Sequence, residues 1–151
     1  MTDVTEGAAA PDFILETADG PVKLADFPKL VLYFYPKDDT GGCTKEAQEF
    51  TALGADFAKA GVAVVGVSTD SVASHKKFTT KYDLGVQLGS DPAGEVVERY
   101  GSWVEKSLYG RKYMGIDRST FLIQDGVIKK VWRKVKVAGH ANAVLAAATA
   151  L

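Results

Sequence analysis

Two short apolar runs, each followed by a helical pattern, constrain the fold of this chain more than any other feature. The runs are LVLYFY at residues 30–35 and VAVVGVS at 62–68, and both are apolar on their two faces. Strands of this kind are typical of a parallel sheet that is covered by helices on both sides. Helical periodicity near 43–58 and near 71–82 follows the runs. The predicted order is therefore βαβα.

The remaining segments predict two hairpins and two further helices. The dipeptide Asp125-Gly126, between STFLIQ and VIKKVWR, is the strongest hairpin signal in the chain. A smaller hairpin is indicated near the N-terminus by DFILET and PVKL, which flank residues 18–20. Asp91 followed by a proline predicts the N-cap and first turn of a short helix. An alanine-rich helix is predicted after Gly139.

This order of elements predicts an α/β protein with a thioredoxin-like fold. We expect a central mixed β-sheet flanked by helices, with a small N-terminal hairpin as an extension. A chain of 151 residues with 46% apolar residues is long enough to bury one continuous core. No repeat, low-complexity tract or linker divides it, so residues 1–151 are expected to form a single domain.

Charge and hydropathy restrict the classes of partner and compartment. Eighteen basic and nineteen acidic residues leave a net charge of -1, which gives no long-range attraction to nucleic acid or anionic lipid. The N-terminal MTDVTEGAAAPDF has neither the basic region nor the apolar run of a secretory signal. No apolar segment approaches the roughly 20 residues that span a bilayer. We therefore expect a cytoplasmic protein that binds neither nucleic acid nor membranes.

The chain contains one cysteine, Cys43, within YPKDDTGGCTKEAQEF at residues 35–50. A single thiol excludes an intrachain disulfide, and with only two histidines it cannot complete a zinc site, so no metal or other cofactor is expected. Cys43 falls in the predicted first turn of a helix at the carboxyl end of a parallel strand, where α/β proteins place their sites. Free backbone N–H groups at that helix end would stabilise a thiolate.

Thr40 lies three residues before Cys43, a spacing that can bring its hydroxyl to the side of the turn that carries the sulfur. The alternative is an inert buried cysteine, because free cysteine is among the most buried residue types. The polar neighbours of Cys43 and its position at a strand-to-helix junction favour a reactive thiol.

Pro36, Thr40 and Cys43 match the signature P-x-x-x-[TS]-x-x-C. Further blocks occur in the same order as in one family, namely APDF, YFYPKDDT, GCTKEAQEF, VVGVSTDSVASHKKFTTKY, SDPAGEV, RSTFLI and the GH at residues 139 and 140. Over nearly its whole length the chain resembles a peroxiredoxin, most closely the bacterioferritin comigratory protein or Q-type group.

The resemblance implies a thiol-dependent peroxidase that reduces hydrogen peroxide and organic hydroperoxides. Cys43 would be the peroxidatic nucleophile and become a sulfenic acid, Thr40 would hydrogen-bond the peroxide, and Pro36 would shield the pocket from water. Arg118, in DRSTFLI, matches the arginine that the family needs in a later strand. Taken alone, each of these three helpers also has a structural interpretation, as a helix N-cap, a strand end and a surface cation.

The two histidines are expected to have no catalytic role. His75 is predicted at a helix surface or at the edge of the core, and His140 at the start of the last helix.

The sequence departs from the resembled group at two positions. Gln48 stands where many relatives carry a second, resolving cysteine, so the chain resembles a one-cysteine version that depends on an external thiol. Thioredoxin, glutaredoxin or a low-molecular-weight thiol could serve. Gly41 stands where relatives usually have proline, which predicts a looser loop beside Thr40.

The relatives suggest a monomer. Two functions of another class remain open, a peroxide-sensing redox switch and a regulatory thioredoxin-like binding protein.

Overall fold

A seven-stranded sheet lies at the centre of the molecule in the computed structural model, which describes residues 4–151. The strands, in chain order, are β1 (Ile14–Thr17), β2 (Gly20–Lys23), β3 (Lys29–Phe34), β4 (Ala63–Ser68), β5 (Gln87–Ser90), β6 (Trp103–Leu108), β7 (Arg111–Ile116), β8 (Ser119–Gln124) and β9 (Val127–Trp132). The α-helices are α1 (Gly41–Ala52), α2 (Gly54–Lys59), α3 (Val72–Tyr82), α4 (Glu95–Arg99) and α5 (His140–Thr149), and one 3-10 turn covers Leu24–Asp26.

The sheet is mixed, with the order β2-β1-β5-β4-β3-β8-β9. Strands β3, β4 and β5 run parallel to one another, as the βαβα pattern predicts. On one side β8 pairs antiparallel with β3 and β9 with β8, and on the other side the hairpin β1–β2 adds antiparallel to β5. The predicted mixed central sheet with a small N-terminal hairpin is therefore confirmed.

Side chains of the central strand β3 fill a hydrophobic core on each face of the sheet. Val31, Tyr33 and the following Tyr35 enter a core with helices α1, α2, α3 and α5. Alternating with them, Leu30, Leu32 and Phe34 enter a second core that includes α4 and the N-terminal segment. Because successive residues of a strand point to opposite faces, burial on both faces requires an uninterrupted apolar run.

The helical pattern near 43–58 is divided into α1 and α2, which differs from the single predicted helix. Helix α1 already begins at Gly41 and is interrupted at Leu53, whose backbone is not helical (φ -94°, ψ 6°). Gly54 follows the break, and glycine is a weaker helix former than any residue except proline. Ala47, Phe50 and Phe57 are buried as predicted, so the apolar stripe continues across the break.

The helix predicted to begin at Asp91 starts later, and that prediction was wrong. A turn closed by the Gly94 N–H on the Asp91 carbonyl (2.9 Å) precedes it, Gly94 is the N-cap with φ of 70°, and α4 begins at Glu95. The Asp91 carboxylate nevertheless accepts a hydrogen bond from the Val97 N–H at 2.9 Å. The aspartate therefore contributes to the helix start from outside it.

Hairpin β8–β9 turns at Asp125 and Gly126, with φ of 50° and 77°, as its sequence predicts. The hairpin β6–β7 was not predicted. Its two strands form a separate sheet and are largely exposed, so they lack the apolar runs that reveal the central strands.

Across residues 4–151, no helix is both long enough and apolar enough to cross a membrane. The expectation that the N-terminus is not a secretory signal falls partly on residues 1–3, which lie outside the described residues. The single domain over 1–151 stays a prediction.

Candidate active site

Cys43 is the third residue of α1 and lies in the first turn of the helix, directly beyond the carboxyl end of β3. Its side chain is buried, with 2% of its surface exposed, and the thiol is free. The first turn is formed by the Thr44 N–H, which donates to the Thr40 carbonyl at 2.8 Å. The predicted junction of a parallel strand and a helix therefore holds the sulfur.

Arg118, the residue immediately before β8, reaches the sulfur. Its Nη2 donates to Cys43 Sγ at 3.2 Å. Antiparallel pairing of β3 with β8 sets Phe34 opposite Ser119, so the residue before β8 lies beside the end of β3. The sheet register thus brings together two residues that are distant in sequence.

Glu46 holds the other side of the guanidinium, since Arg118 Nη1 lies 2.8 Å from Glu46 Oε1. The carboxyl group is 1% exposed, and its Oε2 has no hydrogen-bond partner among residues 4–151. Burial raises the pKa of Glu46 to about 7, against the opposing effect of Arg118 and with a smaller contribution from Glu49 in the same direction. Protonated and ionised forms of Glu46 are therefore both populated near neutral pH.

The sequence analysis missed Glu46, although a signal was present. Glu46 lies on the buried face of α1 next to Ala47 and three residues after Cys43. A carboxylate in an apolar helical stripe indicates a buried partner, because an acidic side chain is rarely buried alone.

Gly42 allows the arginine to lie close to the helix backbone. A Cβ atom at Gly42 would stand 3.2 Å from Arg118 Nη2, whereas a Cβ at Gly41 would meet no atom within 4 Å. Of the two adjacent glycines, only Gly42 lies against the arginine, and a Cβ there would require the guanidinium to shift by a few tenths of an ångström.

Thr40 and Pro36 flank this arrangement, and their predicted roles remain predictions. Thr40 is the N-cap residue of α1 by its backbone, but its hydroxyl makes no capping bond and donates to the Lys37 carbonyl at 2.8 Å. No hydrogen bond joins that hydroxyl to Cys43 Sγ within the described part of the chain. Pro36 is half-buried and follows Tyr35 at the end of β3.

A buried polar cluster fixes the loop that precedes Cys43. Asp38 accepts hydrogen bonds from the Tyr35 hydroxyl (2.5 Å) and from Ser74 Oγ (2.7 Å), and His75 Nδ1 lies 2.7 Å from the same carboxylate. The Asp38 N–H in turn donates to Asp70 Oδ2 at 2.8 Å. Burial acts to raise the pKa of Asp38, but the hydrogen bonds from His75, Tyr35 and Ser74 outweigh it and lower that pKa.

His75 is buried in the core. The sequence predicted a position at a helix surface or at the core edge, and the surface position was wrong. It is 2% exposed, and its Nε2 lies 3.1 Å from the Gly89 carbonyl. Its Nδ1 faces the Asp38 carboxylate and its Nε2 the Gly89 carbonyl. His75 thereby ties α3 and β5 to the loop before α1.

His140 begins α5, as predicted, and its Nε2 lies 2.7 Å from Thr120 Oγ1. Burial lowers the pKa of His140 to about 4, and the positive charge of Arg118 acts in the same direction. The ring is therefore neutral at pH 7 and adds no charge to the site.

No cluster of three or more metal-ligating side chains occurs between residues 4 and 151. The site is instead a free thiol in the first turn of a helix, held by an arginine that immediately precedes β8, the antiparallel neighbour of β3. A mixed sheet with this arrangement defines a thiol-based redox protein of the thioredoxin-like class.

The chain belongs to the AhpC/TSA family, whose model matches residues 7–131. It is 50% identical to peroxiredoxin Bcp of Xanthomonas campestris over 119 residues, which cover 78% of this chain and 74% of that protein. Identity to peroxiredoxin Bcp of Bacillus subtilis is 45% over 138 residues, 89% of this chain and 88% of the relative. The structure of bacterioferritin comigratory protein from X. campestris superimposes with a TM-score of 0.89 at 45% identity, covering 97% of each chain. The predicted peroxiredoxin family and thioredoxin-like fold are confirmed.

Proposed function

We propose that this chain is a thiol-dependent peroxidase in which Cys43 reduces hydrogen peroxide and organic hydroperoxides. The observation that carries the proposal is the contact of Arg118 Nη2 with Cys43 Sγ at 3.2 Å, in a site where the sulfur is buried. Support for organic substrates comes from X. campestris bacterioferritin comigratory protein, whose structures concern alkyl peroxide reduction activity.

In the proposed reaction the Cys43 thiolate attacks the terminal oxygen of ROOH. The S–O bond forms as the O–O bond breaks, the sulfur is oxidised to a sulfenic acid, and the leaving alkoxide takes a proton to become ROH. Arg118 is assigned to the oxygen that gains negative charge, which is where a preformed donor accelerates the reaction most. Thr40 is assigned to peroxide orientation and Pro36 to exclusion of water.

Recycling of the sulfenic acid is assigned to an external thiol. Gln48 occupies the helix position of the resolving cysteine of many relatives, and the chain has no second cysteine. A thiol RSH condenses with Cys43–SOH to give a mixed disulfide and water, and a second thiol then releases Cys43 and the oxidised reductant. Thioredoxin, glutaredoxin and low-molecular-weight thiols are the candidates.

The proposal includes a cytoplasmic monomer. A cysteine that has no partner for a structural disulfide fits a reducing compartment.

Stopped-flow oxidation by hydrogen peroxide and by cumene hydroperoxide, with each reductant supplied in turn, tests the proposal. Rapid oxidation and sustained turnover are expected, and both should be absent in Cys43→Ser. A single slow oxidation without turnover would instead support the redox switch. Intact-mass measurement after excess peroxide should show added oxygen on Cys43, which Cys43→Ser should lack.

A further inference from the structure

Exposed apolar side chains are concentrated on the hairpin β6–β7. Of the seven large hydrophobic side chains exposed within residues 4–151, five lie on this hairpin, namely Trp103, Leu108, Tyr109, Tyr113 and Met114. A groove at the tip of the hairpin is lined by Leu108, Tyr109, Arg111, Lys112 and Tyr113. The register of β6 and β7 places Trp103 and Met114 on one face of the hairpin and Leu108 and Tyr113 on the other, so the apolar surface available to a partner is centred on the groove at the tip.

The hairpin is also one of the basic parts of an acidic chain. Its 14 residues carry Lys106, Arg111 and Lys112 against a single acid, Glu105, for a net charge of +2. Since the whole chain has a net charge of -1, the remainder carries -3. A partner that covers the hairpin therefore gains most if its own surface is acidic.

The turn of the hairpin keeps an aromatic residue at an unfavourable backbone position. Tyr109 has φ of 52° and is 97% exposed, and Gly110 follows with φ of 78°. Turns with two positive φ values favour Asn or Gly at the first of these positions, and a bulky residue there is strained. Because its ring is almost fully exposed, packing within the chain does not explain why tyrosine occupies this turn.

The base of the hairpin is continuous with the candidate active site. Strand β7 ends at Ile116, two residues before Arg118. The Val135 N–H donates to the Arg118 carbonyl at 2.9 Å, which sets a second basic segment, residues 133–136, beside the same arginine. A protein that covers β6–β7 from its tip to its base therefore extends towards the residue that contacts the sulfur.

We propose that β6–β7 is the docking surface for a protein reductant that carries an acidic surface around its thiol. This inference rests on the proposed function, which requires an external thiol. In the docked complex the partner's thiol condenses with Cys43–SOH to give the mixed disulfide and water, and a second thiol of the partner then releases Cys43 as a thiol.

A second copy of this chain fits the surface less well than an acidic protein. A symmetric contact would bring Arg111 and Lys112 of one copy towards the same cations of the other, which is unfavourable. A low-molecular-weight thiol is too small to contact a surface of this length, since six residues per strand extend for about 20 Å.

Two variants of the chain test the proposal. Arg111→Glu with Lys112→Glu reverses the charge, and Tyr109→Asn removes the exposed ring while supplying a residue that the turn favours. Lys76→Glu with Lys77→Glu, two adjacent exposed positions on α3, is the matched control. Turnover is measured with an acidic thioredoxin, its reductase and NADPH, then with an acidic glutaredoxin, and separately with dithiothreitol.

The charge reversal should raise the KM for the acidic protein reductant at least about tenfold and reduce the salt dependence of turnover. Tyr109→Asn should raise the same KM several-fold. Oxidation of Cys43 by peroxide and turnover with dithiothreitol should be unchanged in both variants, and the α3 control should match the wild type.

An unchanged KM, an equal loss of turnover with dithiothreitol, or no turnover of the wild type with either acidic protein would overturn the docking surface. So would a wild-type dimer that the charge reversal dissociates in sedimentation equilibrium. If peroxide fails to oxidise Cys43 at all, the proposed function itself fails, and the two failures are thereby distinguished.

Discussion

Arg118 Nη2 lies 3.2 Å from Cys43 Sγ although 75 positions separate the two residues. The contact depends on the register of β3 against β8, in which Phe34 faces Ser119. A guanidinium in this position can remain on the reacting oxygens while negative charge moves onto the leaving group. The geometry therefore places transition-state stabilisation, and not thiol reactivity alone, at the centre of the proposed chemistry.

Arg118→Ala should slow oxidation of Cys43 by hydrogen peroxide by about 100-fold or more, because one preformed donor to a developing oxyanion is lost. Alkylation of Cys43 by iodoacetamide, which forms no oxyanion, should change much less. Stopped-flow fluorescence and alkylation rates provide the comparison. Arg99→Ala, at an exposed arginine of α4, is the control. Equal losses in both reactions would contradict the assigned role.

Gly42→Ala should slow peroxide oxidation by up to roughly tenfold, because a Cβ 3.2 Å from Arg118 Nη2 forces the guanidinium to shift by a few tenths of an ångström beside the sulfur. Gly41→Ala is the matched control, since its Cβ meets nothing within 4 Å. The second-order rate constants for oxidation of Cys43 by peroxide are compared between the two variants. Two variants with the same rate would show that the position of Arg118 tolerates this displacement.

Glu46→Gln should change how stability depends on pH. Burial raises the pKa of Glu46 to about 7. A carboxyl group with a raised pKa contributes stability that is fully present below its unfolded pKa and is lost as pH rises through its folded pKa. Relative to the wild type, the variant should therefore gain roughly 1–3 kcal/mol of unfolding free energy between pH 5 and pH 8.

Urea unfolding at several pH values measures this change, and Glu98→Gln, at an exposed position of α4, is the control. A difference from the wild type that stays constant with pH would mean that Glu46 is ionised throughout the range.

Asp38→Asn should destabilise the fold by about 3 kcal/mol, because His75 and its neighbours lose a charged acceptor inside the protein. The adjacent Asp39 pairs with Lys81 at the surface, so Asp39→Asn should leave the thermal midpoint almost unchanged. Thermal unfolding of both variants at pH 7 tests the contrast. Similar midpoints would show that the buried cluster adds little net stability.

Much of the sheet was predictable because the apolar runs at 30–35 and 62–68 allow few alternatives. The start of α4 and the break at Leu53 were not, since local turn geometry decides both. Hairpin β6–β7 was not predicted either, because its exposed strands mix polar and apolar residues and so lack the apolar runs of the central strands.

The residues of the candidate site also fall into two groups, those that a local sequence segment reveals and those that only the tertiary fold brings together. Pro36, Thr40 and Cys43 lie in one short segment that can be recognised from its residues. Arg118 was suggested only by resemblance, because spacing cannot reveal a contact that sheet register creates. Pairing of Asp38 with His75 depends on how α3 packs against the loop before α1, which no local pattern specifies.

The depth of Cys43 in the first turn of α1 has a kinetic consequence. Only 2% of the Cys43 surface is exposed, so a small peroxide can reach the sulfur more readily than a side chain of another protein can. For a protein thiol to reach the oxidised sulfur, the backbone around Gly41 and Gly42 must open transiently. The rate of that opening sets an upper limit on turnover. The maximal turnover rate at saturating protein reductant would therefore measure how often the first turn of α1 opens.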